Sequence, residues 1–254
     1  MNNENEIQIV EQTQLAIMQK AEIDTAIATA KQYPRSLTTF KDNALAYATS
    51  DHETAMECIY KRPVGGGKNA EGMSVRMAEI VASTYGNIKV QARIVEQTER
   101  KVVCEGIAHD LETNNLQSIM KSEVTITKQG KPYSEGMRNT VALACLAKAK
   151  RDAIFAVVPR SLVRHVEKAV KAMLFGDAQS LDQTRQQMKD WIKTLPIDEA
   201  RVWAYLKVDG VDDMTPATVE TVMGIWTGLN NSEFTLDDAF PEIKKTAEEA
   251  LNEL

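Results

Sequence analysis

Cysteine and histidine are scarce, and neither is arranged for chemistry. Cys58, Cys104 and Cys145 are odd in number and far apart, which argues against a disulfide framework and leaves no CxxC pair for zinc or redox work. His52, His109 and His165 share no ligand spacing; His109-Asp110 is at most half a metal site, and a surface pair at a strand end is the expected reading. No G-x-S-x-G, H-E-x-x-H or nuclease-like acidic cluster occurs within the basic middle of the chain. Long apolar runs are missing as well, which excludes a spanning helix. The first residues, MNNENEIQIVEQ, are polar and acidic where a signal peptide is basic and then apolar, so a cytoplasmic location is expected. Gly65-Gly66-Gly67-Lys68 fails as a phosphate-binding loop, because Arg62 stands five positions before Gly67 and Asn69 follows Lys68. A glycine-rich loop flanked by Lys61, Arg62 and Lys68 can still grip phosphates through amides and lysines. No enzyme, cofactor, metal or catalytic residue is expected.

What is present is a core and an uneven charge. Apolar residues make up 43% of the 254, enough to bury a sizeable interior. Residues 1–60 carry four Lys/Arg against nine Asp/Glu, residues 61–175 carry 19 against 11, and residues 176–254 carry seven against 16. A basic middle between acidic ends points to a polyanion partner for the middle.

Periodicity divides the chain in the same way. The first 18 residues have no clean period and read as frayed; Ala21–Tyr33 and Ser36–Thr49 read as helices around Pro34, and Asp51 reads as the N-cap of a short helix through Ile59. Residues 61–72 read as a loop on proline and glycine content, and Met73–Tyr85 as a helix stopped at Gly86-Asn87. Ile88–Ile94, Val102–His109 and Leu116–Thr127 alternate apolar with polar residues and predict three strands in an antiparallel meander. Gly136–Val158 returns to helical spacing, with Ala142, Leu146, Ala149, Ala153 and Val157 on one arc, Leu143 and Ile154 beside it, and Lys148, Arg151 and Asp152 opposite. Pro159 stops that helix and opens Ser161–Phe175.

The predicted fold is α+β: a three-stranded antiparallel meander covered by a long basic amphipathic helix. The divisions are a helical N-terminal segment (1–50), a basic core (51–175), a small helical C-terminal module (180–241) after a linker at Gly176–Ser180, and an acidic tail (242–254). Trp191, Trp203 and Trp226 all fall in the C-terminal module, where they suit the core of a small helical unit.

The basic residues predict a binding surface for nucleic-acid backbone. Arg160, Arg164, Lys168 and Lys171 recur on one side of a helix, Lys148 and Arg151 stand on the polar arc of the long helix, and Lys89, Arg93 and Lys121 share one strand parity opposite the apolar face. Lys150 lies inside the apolar arc, where it either snorkels at the helix edge or points into a groove against the sheet. Salt-bridged surfaces explain each charge singly; their joint excess favours phosphate contacts. Tyr85, Tyr133, Phe155 and Phe175 are too few for a platform stacking base after base, so phosphates would be held while base edges stay free.

The stretches EGMSVRMAEI (71–80), VCEGIAHDLETN (103–114) and LACLAKAKRDAIFAVVPRSLV (143–163) resemble the core of the phage single-strand annealing proteins, the RecT/Redβ/Erf superfamily with its eukaryotic Rad-type relative. VDGVDDMTPATVETVMGIWTGLNNSEFTLDDAFP (208–241) is similar to a helical tail module found on such proteins. The resemblance covers roughly residues 50–241. It implies ATP-independent binding of single-stranded DNA and annealing of complementary strands by a ring or helical homo-oligomer, with DNA between sheet and long helix. It implies phosphate-binding roles for Lys148, Lys150, Arg151, Arg160 and Arg164, and recruitment of an exonuclease or single-strand binding protein by the acidic C-terminal region. The alternative from another class is a regulatory or structural phage protein whose basic core binds RNA or a protein.

Overall fold

The computed structural model describes residues 2–63, 69–127, 129–176, 178–230 and 235–241. The fold is α+β, with a three-stranded antiparallel sheet against one long helix and a larger helical body beside it. The helical body begins with α1 (Asn2–Gln32), α2 (Leu37–Ala48) and α3 (His52–Glu57). Ser36 caps α2 by accepting from Thr39 N, and Asp51 caps α3 by accepting from Thr54 N, so both predicted helix starts stand. The expected fraying before residue 19 is not seen: α1 is one helix from Asn2. In its C-terminal half Ile23, Ala26 and Ile27 are half-buried and Ala30 is buried.

Residues 61–72 are not simply a loop. β1 (Ile59–Pro63) and β2 (Asn69–Met73) pair antiparallel, Ile59 opposite Met73 and Tyr60 opposite Gly72. The missing side chain at Gly72 gives room to the Tyr60 ring, 3.3 Å from where a Cβ would stand. Proline at the strand end and glycine within it obscured this hairpin.

After α4 (Val75–Tyr85), the strands β3 (Ile88–Gln97), β4 (Lys101–Asp110) and β5 (Asn115–Val124) form the predicted meander in the order β3-β4-β5. α5 (Glu135–Val157) lies across it. Ala142, Ala149, Ala153 and Val157 are buried as expected of the apolar arc, and so is Ile154 beside it, whereas Leu143 is 60% exposed. Val102, Cys104, Gly106 and Ala108 of β4 face α5. At Gly106 the backbones nearly touch, since a Cβ there would fall 2.1 Å from Ala149 O.

Register fixes the faces. Lys89 and Arg93 pair with His109 and Glu105 and point away from α5, but Lys121 pairs with Cys104 and points toward it. The expected sharing of one face by all three is therefore overturned. β5 turns its Lys121 and Glu123 inward to ion pairs with α5 and its Leu116, Met120 and Val124 outward, where they are 54%, 52% and 65% exposed.

The chain continues as α6 (Arg160–Phe175), α7 (Ala178–Ile192), α8 (Glu199–Leu206), a short 3-10 turn at Val211–Asp213, α9 (Pro216–Asn230) and α10 (Leu236–Ala239). The boundary expected at 176–180 does not separate two cores. Met188, Ile192, Val219, Val222, Met223, Ile225 and Phe240 are buried in one cluster with Phe40, Met56, Met77, Ile154 and Leu174. Thr227 donates its hydroxyl to Met56 O at 2.9 Å within that interior, and the three tryptophans lean against the shared cluster. Among the described residues no helix is long and apolar enough to cross a membrane.

Candidate nucleic-acid interface

The basic side chains singled out in the sequence fall on several separate surfaces. Lys148 and Arg151 leave α5 toward β5, while Lys150, two residues from the first and nearly opposite it around the helix, leaves toward α4. Its Nζ reaches Glu79 at 2.8 Å with both side chains 35% exposed. Lys150 is thus neither purely snorkelling nor aimed between helix and sheet, since it ties α5 to α4. Lys89 and Arg93, on the far face of the sheet, pair with Glu22 at 2.8 Å and Glu105 at 2.7 Å. Arg164 and Lys168 are exposed on α6 and have no ion-pair partner among the described residues. Lys68 and the side chains of Lys61 and Arg62 lie outside the described residues, and so does the acidic tail.

One group does converge. Lys121 Nζ meets Asp152 at 2.6 Å, Arg151 Nε meets the same carboxylate at 2.9 Å, and the Arg151 guanidinium sits 4.8 Å from the centre of the Tyr60 ring. Lys148, only 11% exposed, reaches Glu123 at 2.9 Å beside them. Tyr60 in turn lines a small cleft of about 60 Å³ with Ile59, Glu71, Gly72, Arg160, Glu167, Lys171 and Glu220. Arg160, 68% exposed, stands 3.7 Å from Glu167 at its margin. Arg151 of α5 and Arg160 at the start of α6 therefore stand beside one aromatic ring of the β1–β2 hairpin, with Lys121 of the edge strand β5 joined to Arg151 through Asp152.

Their charges are partly answered from within. Burial works to raise the pKa of Asp152, but hydrogen bonds and charge from Lys121 and Arg151 outweigh it, so the carboxyl is held below its ordinary value. Lys121, Lys148, Arg151, Arg160 and Lys171 stand among the carboxylates of Glu71, Glu123, Asp152, Glu167 and Glu220, so the local charges balance. Charge totals along the chain overstated the free positive surface, because they could not show which carboxylates fold back onto it. They also missed Tyr60. It stands one residue before the basic block, in the run Ile59-Tyr60-Lys61-Arg62-Pro63, which has no alternation to mark a strand.

Other reactive groups are structural. Burial pushes the Cys58 and Cys104 thiols up to about 12, which keeps them protonated and inert at neutral pH. Among the described residues, no group of three or more His, Cys, Asp or Glu is placed to hold a metal ion. The site can accept phosphate oxygens on its cations and a base or sugar against Tyr60. No family model, curated protein or solved structure matches the chain.

Proposed function

We propose that the protein binds single-stranded DNA and anneals complementary strands without ATP, as a homo-oligomer. The observation that supports this reading is the placement of Arg151 and Arg160 beside Tyr60, with Lys121 joined to Arg151 through Asp152. One ring suits contact with a single base, while neighbouring bases remain free to pair. In the same reading, Arg164, Lys168 and the basic hairpin loop extend the phosphate track. The acidic C-terminal region recruits an exonuclease or single-strand binding protein, and the work belongs to phage recombination in the host cytoplasm.

The test is anisotropy titration of a labelled single-stranded oligonucleotide at several salt concentrations, followed by mixing with its complement. Affinity should fall steeply with salt, by a log–log slope of about 0.7 per phosphate contacted, and the complement should anneal faster than it does alone. Tyr60→Leu combined with Arg151→Gln should weaken binding at least roughly tenfold, a loss of one stacked base and one charge-assisted contact. Binding that ignores salt, or a double variant that binds and anneals like the parent, removes this site. Binding of RNA in strong preference to DNA would favour the regulatory reading instead.

A further inference from the structure

The charges around Tyr60 balance, so a net pull on a polyanion has to come from beyond that ring. α6 supplies it. Its sequence holds Arg160, Arg164, Lys168 and Lys171 against one carboxylate, Glu167. Arg160 stands 3.7 Å from Glu167, and Lys171 pairs with Glu220 at 3.0 Å. Arg164 and Lys168 are exposed and have no ion pair among the described residues.

Helix geometry sets the direction of this row. Each step of four residues rises about 6 Å and turns about 40° around the axis. From Arg160 at the Tyr60 cleft, the row drifts through Arg164 to Lys168, away from the cleft and toward the opposite flank of the helix. On that flank α6 packs against α2, where His165 Nε2 lies 3.5 Å from Lys41 O. Lys41 is exposed at this crossing and has no ion pair among the described residues. Asp42 beside it points about 100° away around α2.

We infer that a single-stranded nucleic-acid backbone runs from the Tyr60 ring along α6, over Arg160, Arg164 and Lys168, and crosses onto α2 at Lys41. This rests on the binding reading above and gives it a path, adding Lys41 to its residues. The character of the surface selects the occupant. Among the described residues, none of the exposed large apolar side chains lies on α6, so a protein partner finds no anchor along the row. Cations about one helical turn apart suit a chain that carries one negative charge per unit. Tyr60 offers its ring at the start of the row, and the bases farther along stay free to pair.

The experiment is an anisotropy titration of the full-length chain with a labelled oligothymidylate of about 16 nucleotides, repeated across salt concentrations. Each phosphate contact of a single strand adds about 0.7 to the log–log salt slope, so Lys41→Gln with Lys168→Gln should lower that slope by about 1.4. Lys20→Gln with Lys207→Gln removes the same charge on α1 and at the end of α8, and should leave the slope as in the parent. All four side chains are exposed and without ion pairs among the described residues, so misfolding does not confound either variant. A parental slope in the Lys41 and Lys168 variant overturns the path, while binding by the parent keeps the Tyr60 reading. Equal losses in the two double variants overturn it too, because they reflect bulk charge alone. Poly-glutamate held as tightly as the oligonucleotide at matched salt would assign the row to an acidic protein and overturn the path as well. A parent that binds no oligonucleotide removes the Tyr60 reading itself, and the path with it.

Discussion

Gly106 on β4 and Ala149 on α5 meet backbone to backbone, with no space for even one added carbon between them. The seat of the long helix on the sheet, and with it the placement of Lys148 and Arg151, depends on this approach. Gly106→Ala should lower stability by about 1–3 kcal/mol or more through overpacking. Urea denaturation measures it; an unchanged midpoint would contradict the contact.

Arg35 is held in a second close arrangement. Its guanidinium, 8% exposed, pairs with Asp110 and Glu112 and lies 3.8 Å over the Tyr85 ring, while Asn87 donates to the same Glu112 at 2.6 Å. Arg35→Met leaves two carboxylates without their cation and should cost about 3–5 kcal/mol at neutral pH.

Acid should erase that difference. Burial acts to raise the Asp110 and Glu112 pKa values, but Arg35 and the local hydrogen bonds prevail and hold both down. A depressed carboxylate stabilises the fold above its unfolded pKa of about 4, and this contribution fades as pH falls through the folded value. The gap between parent and Arg35→Met should therefore be constant near neutrality and shrink below about pH 4. Thermal melts across pH would show it, and a gap that widens in acid would refute the assignment.

The charge variants separate the two flanks of α5. Lys150→Ala removes a partly exposed pair with Glu79, an interaction of about 0–1 kcal/mol, and should leave DNA affinity within about twofold. Arg151→Ala removes the cation over Tyr60 and should lower affinity by about tenfold. The reverse order in an oligonucleotide titration would move the site to the α4 side.

Truncation after Ser180 should fail to give a folded core. It strips Val219, Val222, Met223, Ile225 and Phe240 from the interior that holds Phe40 and Met56, and burial of each such side chain is worth about 1.5–3 kcal/mol. Soluble expression and circular dichroism of residues 1–180 would decide. A cooperative melt near that of the full chain would restore the two-part division expected from the sequence.

The strands were legible because Ile88, Val90 and Ala92 alternate with Lys89, Gln91 and Arg93, and Asp51 announced its helix through a capping side chain. The face of Lys121 was not, since parity shows which residues of a strand lie together but not which side the helix covers. On β5 the apolar set points outward. The shared interior was hidden for a different reason: small polar residues at 176–180 look like a linker, yet whether helices beyond them pack elsewhere is decided by contacts that no local pattern encodes. The candidate site was half legible, through Lys148 and Arg151. Glu123, the partner of Lys148, and Tyr60 come from strands far away in sequence, whereas Asp152, the partner of Arg151, is its next residue.

The bond from Thr227 to Met56 spans 171 positions, and this separation sets an order of events during synthesis. The meander and α5 are neighbours in sequence and can assemble as soon as they emerge. The faces of α3 and β1 that end up under α9 must wait for it. At about 5–20 residues per second the interval is roughly 9–34 seconds, during which Met56 and Ile59 lack their final cover. The nascent chain is therefore expected to lean on a holding chaperone until its last helices are released.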